Sequence, residues 1–314
     1  MFKTLILALA VAAQAPGVLG YQLQPRGVVN RDPYPFCNTK TNPNCIAGGK
    51  YLVPILDFSV QRSAGDLAYA KYLPTHNFTL SAWPRGKMPE PCYRWGVTAD
   101  HWKPADFTMY NVTFTDCAGS PWVVCFNKHS PRTIKQIAKE ISRIPAAMRQ
   151  STSLYLVYGD QQTDNPQYGG YIGTLAADGL VVGRSVAYFA TSLVHETGHA
   201  VDSNLASPNA PRPGTGAAFS ASPAWRDAVR ADGYAVSAYG AGSHVEDFAE
   251  TGRAVLLDTI YPGGLKALTG NNPNLTQIAN QLAAFRKVAG GFYRLDRKCD
   301  LRRKFPFPTR LVNV

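Results

Sequence analysis

The run SLVHETGHAVD (192–202) sets His195 and His199 four positions apart, with Glu196 beside the first. On an α-helix, positions four apart lie one turn above each other on one face, so both imidazoles can reach a single metal ion. Glu196 is turned about 100° from His195, where a carboxylate can hold and move a water's proton without ligating the metal itself. This is why the zinc-hydrolase pattern His-Glu-x-x-His has that spacing. The same letters should also arise by accident, in on the order of one chain in a hundred of this length. The helix would then be merely amphipathic, with two satisfied histidines and a solvated glutamate. A catalytic zinc needs a third protein ligand, so the rest of the sequence decides.

Two patterns for that ligand fail. The three-histidine motif requires Gly and His where this chain has Asp202 and Leu205. An aspartate-liganded segment of the form GTxDxxYG meets Val236 where its Asp would precede Tyr239-Gly240. A carboxylate from a later helix remains, in HVEDFAE (244–250), where Glu246 and Glu250 share one helical face. On the residues alone either glutamate, or less readily Asp247, could serve.

HETGHAVD (195–202), SAYG (237–240) and VEDFAETGRA (245–254) together resemble the catalytic domain of anthrax lethal-factor-type zinc proteases, the glutamate-liganded (gluzincin) kind. In that family an HExxHAVD helix is followed by a Tyr-Gly and an E-x-x-A-E helix, and Tyr239 precedes Glu246 by the same seven positions (246 − 239). The resemblance implies His195, His199 and Glu246 as ligands of one Zn2+, Glu196 as general base, and Tyr239 as the phenol that assists the oxyanion. Asp247 departs from it, standing where the family carries an aromatic residue, and the loop 205–222 is this chain's own. More loosely, the whole chain is similar to secreted fungal proteins called conidiation-specific, a label for expression and not for chemistry.

Around that core, Glu250 lies one turn beyond Glu246 and is placed to orient a ligating histidine, with Asp202 a weaker choice. Asp247 reads as a solvated helix charge and His244 as the helix cap. His76, His101 and His129 read as surface residues. Gly198, inside the motif helix, costs stability unless a close neighbour needs the room.

Positioning these residues requires an α+β framework, and the expected fold is a zincin-like metalloprotease catalytic domain with an N-terminal disulfide-containing β-rich lobe. YLVPILDF (51–58), FTMYNVTF (107–114) and WVVCF (122–126) read as strands of a disulfide-pinned lobe over 21–128. In the catalytic domain, 129–290, isoleucines recurring from Ile134 to Ile144 predict a helix over 131–148 entered at Ser130-Pro131. A buried strand at 153–160 and a hairpin at 171–183 come next, then helices near 186–204, 223–232, 244–259 and 273–288. Residues 171–176 are expected to pair with an extended peptide substrate as an edge strand. The last segment, 291–314, is basic and tied back by Cys299.

The remaining features bound the setting. MFKTLILALAVAAQAPGVLG (1–20) reads as a secretory signal, giving an exported, extracellular protein with no membrane span. Six cysteines in such a chain predict three disulfides, one of which must join Cys299 to a cysteine before residue 126. Sequons at Asn77, Asn111 and Asn274 predict a glycoprotein. The formal charge of +11 lacks the basic-aromatic interleaving of a nucleic-acid binder. Its densest part, Arg294 to Arg310, is a solvated tail or a contact for acidic cell-wall polymers. The sequence thus points to a secreted zinc metallopeptidase acting on a peptide or protein substrate. The alternative is a catalytically inactive zincin-like or wall-associated structural protein of fungal spores or hyphae.

Overall fold

A computed structural model describes residues 64–117, 119, 121–159, 172–175, 179–184, 190–206, 218–237, 239–297, 299 and 310–314. The leader, the 51–58 strand, Cys37 and Cys45 lie outside the described residues. In chain order the elements are α1 (Ala64–Tyr72), β1 (Phe78–Ala82), β2 (Lys87–Pro89), α2 (Glu90–Cys92) running into a π-helical turn (Tyr93–Ala99), β3 (Phe107–Phe114) and β4 (Trp122–Asn127). Next come α3 (Ile134–Ser142), α4 (Ala146–Arg149), β5 (Leu154–Tyr158), β6 (Ile172–Leu175), β7 (Leu180–Arg184) and α5 (Ala190–Ala206). The chain continues through α6 (Pro223–Asp232), α7 (His244–Ile260), α8 (Gly264–Leu268) and α9 (Ala279–Val288) to β8 (Leu311–Asn313). The protein is therefore mixed α and β.

A six-stranded sheet in the order β1-β3-β4-β5-β7-β6 forms the frame. β4, β5 and β7 pair in parallel, while β1, β3 and β6 are antiparallel to their neighbours. Parallel strands are covered on both faces and so carry nearly continuous apolar sequence, as WVVCF and LYLVY do. One face packs Trp122, Val124, Tyr155, Val157 and Val181 against the helices. The other packs Val123, Cys125, Leu154, Leu156 and Leu180 under Met88 and Cys92, with Trp95 and Trp102 at its margin.

The sheet runs across the boundary expected at residue 128. Strands on both sides of residue 128 belong to it, because β4 pairs with β5 from Val123↔Leu154 to Phe126↔Val157. Local sequence gives no sign of that long-range pairing. The helix expected over 131–148 is two pieces. Thr133 caps α3 in a capping box with Gln136, and Pro145, unable to continue a helix, becomes the residue before α4. The helix expected from 273 begins as a 3-10 turn, Pro273–Ile278, before α9.

The C-terminal segment is fastened at Cys299 and at its last residues. β8 pairs with β2 from Lys87↔Asn313 to Pro89↔Leu311, and Cys299 is bonded to Cys117 across 182 residues. Cys92–Cys125 pins the π-helical segment to β4. Lys298, Arg302, Arg303 and Lys304 lie outside the described residues. No helix among the described residues is long and apolar enough to cross a membrane.

Candidate metal centre

The site lies between α5 and α7. α5 is buried along most of its length, and its polar residues His195, Glu196, His199 and Asp202 are each no more than 3% exposed. Polar side chains at that depth must be paired. The partners come from α7, whose first turn is set by Ser243: its hydroxyl accepts from the Glu246 N–H at 3.2 Å. Ser243, not His244, is therefore the cap. Glu246 falls in that first turn, where the helix N-terminus favours a carboxylate.

Gly198 is explained by the same packing. A Cβ there would sit 3.1 Å from Tyr293 Oη and 3.4 Å from Ala249 Cα, so glycine lets α5 and α7 approach. A larger residue would drive the two carboxylates of α7 away from the histidines.

Across this contact, His195 Nδ1 lies 2.6 Å from Glu250 Oε1, and His195 Nε2 lies 3.0 Å from Glu246 Oε2. His199 Nε2 is 3.0 Å from His195 Nε2 and 3.3 Å from Glu246 Oε2. A carboxylate at Nδ1 holds the proton on that nitrogen, which leaves a lone pair on Nε2. That lone pair then meets a second imidazole nitrogen and a carboxylate oxygen at hydrogen-bond distance. Two nitrogens and one oxygen converging in this way make a donor set for a divalent cation, and their atoms lie within 4.8 Å of one another.

That lone pair is free only in the neutral ring, and without a metal the site holds a second proton there instead. Burial opposes a charge on His195, yet the bonds to Glu246 and Glu250 carry its pKa up to about 10. Burial likewise pushes against ionised Glu246 and Glu250, and their cationic neighbours outweigh it. His199 and His195 hold Glu246 below its ordinary value, while Arg253 and His195 do so for Glu250. In the metal-free site His195 thus carries the proton whose place a cation would take.

The remaining expected residues divide. Glu196 is buried on α5, and burial raises its pKa to about 7 against the pull of the two histidines. Tyr239 stands beside the ligands, its ring 5.4 Å from that of His195 at 66°. Asp202 serves a different contact: its oxygens accept from the Ser220 N–H and Oγ at 2.8 and 2.6 Å, anchoring Phe219–Ala221 to α5. Asp247 is not a solvated charge. It is fully buried, its Oδ1 accepts from the Val236 N–H at 2.9 Å, and burial lifts its pKa well above the ordinary value. The segment leading to Tyr239 folds onto the start of α7 and covers it. Among the surface histidines, His76 is partly covered, 3.5 Å from Asp116, and His129 stacks on Trp102.

Two contributors escape a motif reading. Thr174, on β6, places its Oγ1 2.7 Å from the Glu196 carbonyl and 3.1 Å from its Oε2. Arg253 holds both oxygens of Glu250 at 3.0 and 3.1 Å. The three-residue step from Glu250 to Arg253 was the available sequence signal for the second, since i,i+3 pairs meet on a helix.

The profile of the conidiation-specific protein Con-13 family matches residues 59–297 of the chain, spanning the sheet and both site helices. The chain belongs to the Con-13 family. Conidiation-specific protein 13 of Neurospora crassa is 28% identical over 192 residues, covering 56% of this chain and 47% of the relative. The chain thus spans about half the length of the curated relative it matches. Both names record a developmental stage, and neither names a peptidase or a metal.

Proposed function

We propose that this Con-13 family member is a zinc-dependent hydrolase of peptide bonds, its metal held by His195, His199 and Glu246. The observation that carries the reading is the convergence of His195 Nε2, His199 Nε2 and Glu246 Oε2 on one point, beside a buried carboxylate on the same helix. A structural zinc is closed by four protein ligands. Among the described residues this cluster offers three, the number that suits an open position.

Bound there, zinc supplies a Lewis acid that polarises a carbonyl and acidifies water. The chain's own residues do the rest. Glu250 orients the His195 ring, and Glu196, buried beside the donors, can take a proton from water and return it to the leaving amine. The Thr174 hydroxyl holds the Glu196 carboxylate in place. Tyr239 is the candidate donor to the developing oxyanion. β6 is the outermost strand next to β7, and an extended peptide laid along it would run beside α5.

A second reading is favoured by the family name: a spore or hyphal protein without enzymatic activity, in which the centre stabilises the fold and the basic charge meets wall polymers. Metal analysis of wild type and E196Q, with cleavage of a random peptide library, separates the two. Zinc in both proteins with cleavage by wild type alone is the expected result. Stoichiometric zinc without cleavage by either favours the spore-protein reading, and a metal-free wild type defeats the metal centre itself.

A further inference from the structure

A second buried charge on α7 lies behind the candidate ligands. Arg253 is fully buried, a position that is costly for a guanidinium unless its partners are fixed. Its Nη1 donates to both Glu250 oxygens, and its Nη2 lies 3.7 Å from Asp66 Oδ1. Its main-chain carbonyl accepts from Tyr69 Oη at 2.6 Å. Asp66 and Tyr69 both belong to α1, at the other end of the described chain.

We infer that α1 reaches the metal ligands through Arg253: Asp66 and Tyr69 fix Arg253, Arg253 fixes Glu250, and Glu250 turns the His195 ring so that Nε2 faces His199 and Glu246. Arg253, Asp66 and Tyr69 are then positioning residues, and the inference rests on the metal-centre reading above. A carboxylate held by one hydrogen bond can still rotate, whereas Arg253 touches both Glu250 oxygens and leaves Oε1 facing His195. One planar guanidinium thus reaches Glu250 through Nη1 and faces Asp66 with Nη2, a span that the point charge of a lysine does not reproduce. Tyr69 anchors the backbone from which the fork extends, so the chain of contacts is continuous from α1 to the imidazole. A helix needing only packing at this depth would place an apolar side chain there at lower cost.

A purely structural ion pair would affect stability and leave the metal untouched, which makes the distinction measurable. The full chain is purified as wild type, R253M, R253K, D66N and Y69F. Zinc affinity is measured by chelator competition, and the visible spectrum of the cobalt-loaded protein is recorded alongside circular dichroism. R253M should bind zinc about tenfold more weakly with shifted cobalt bands, and R253K should recover part of that loss. D66N and Y69F, at the outer end, should keep the fold and lose about threefold. They carry the test if R253M does not fold. Folded variants with wild-type affinity and an unchanged spectrum overturn this inference alone. A wild type that binds no metal overturns the metal-centre reading and this inference with it.

Discussion

Glu196 is a carboxylate enclosed on the helix that carries both histidines. Burial lifts its pKa to about 7 from an ordinary 4.5. A carboxyl whose folded pKa is raised contributes stability that is full below about pH 4.5 and lost as pH rises through about 7. Metal-free E196Q has no such proton to lose. Its stability advantage over metal-free wild type should therefore grow between about pH 5 and pH 8, approaching roughly 3 kcal/mol. Urea titration at the two pH values measures it, and a gap independent of pH would contradict the assignment. Thr174 supplies a second expectation. T174V should lower kcat about tenfold with KM and zinc content unchanged, because the base loses its fixed orientation, while T174S retains activity. Equal losses in both variants would assign the effect to packing. His195, Glu196 and His199 were legible from spacing alone, since one helix carries all three. Thr174 and Arg253 were not: the first acts from a strand that local sequence does not join to α5, and the second acts through another side chain.

At the scale of elements, the closeness of α5 and α7 governs the site. A Cβ on Gly252 of α7 would lie 2.7 Å from Tyr293 Cζ and 3.0 Å from Phe285 Cζ, while Tyr293 Oη has no hydrogen-bond partner among the described residues. G252A should cost about 2 kcal/mol or more. Y293F should be close to neutral, because it removes an unpaired buried hydroxyl. The double variant should recover part of the loss, and thermal denaturation of the four proteins tests the cycle. Strict additivity would show that Tyr293 is not what Gly252 accommodates. The sequence places helices near α5, α6 and α7, but merges α3 with α4 and puts the cap of α7 one residue late. It could not anticipate that β4 joins β5, since parallel pairing leaves no turn signature and its register is set by residues 30 positions away or more, as in Val123↔Leu154.

At the scale of the whole molecule, the Cys117–Cys299 bond closes a loop of 182 residues that contains β4 to β7 and both site helices. Replacing both cysteines by serine should cost about 5 kcal/mol on the chain-entropy account, against about 3–4 kcal/mol for the 33-residue Cys92–Cys125 loop. Chemical denaturation of the two double variants compares them, and an equal or smaller loss for the longer loop would contradict the ordering. The same bond also sets a schedule. Cys92 and Cys125 leave the ribosome close together and can close at once, whereas Cys117 must wait for a partner made 182 residues later. During that wait it is a live thiol between two cysteines already seeking each other, and disulfide formation keeps pace with the synthesis of a long domain only when an oxidant is at hand. A chain oxidised too early traps Cys117 in the wrong pair. Correct assembly of the helices that carry the candidate metal centre thus becomes a question of timing, and in an oxidising compartment a disulfide isomerase would set the yield.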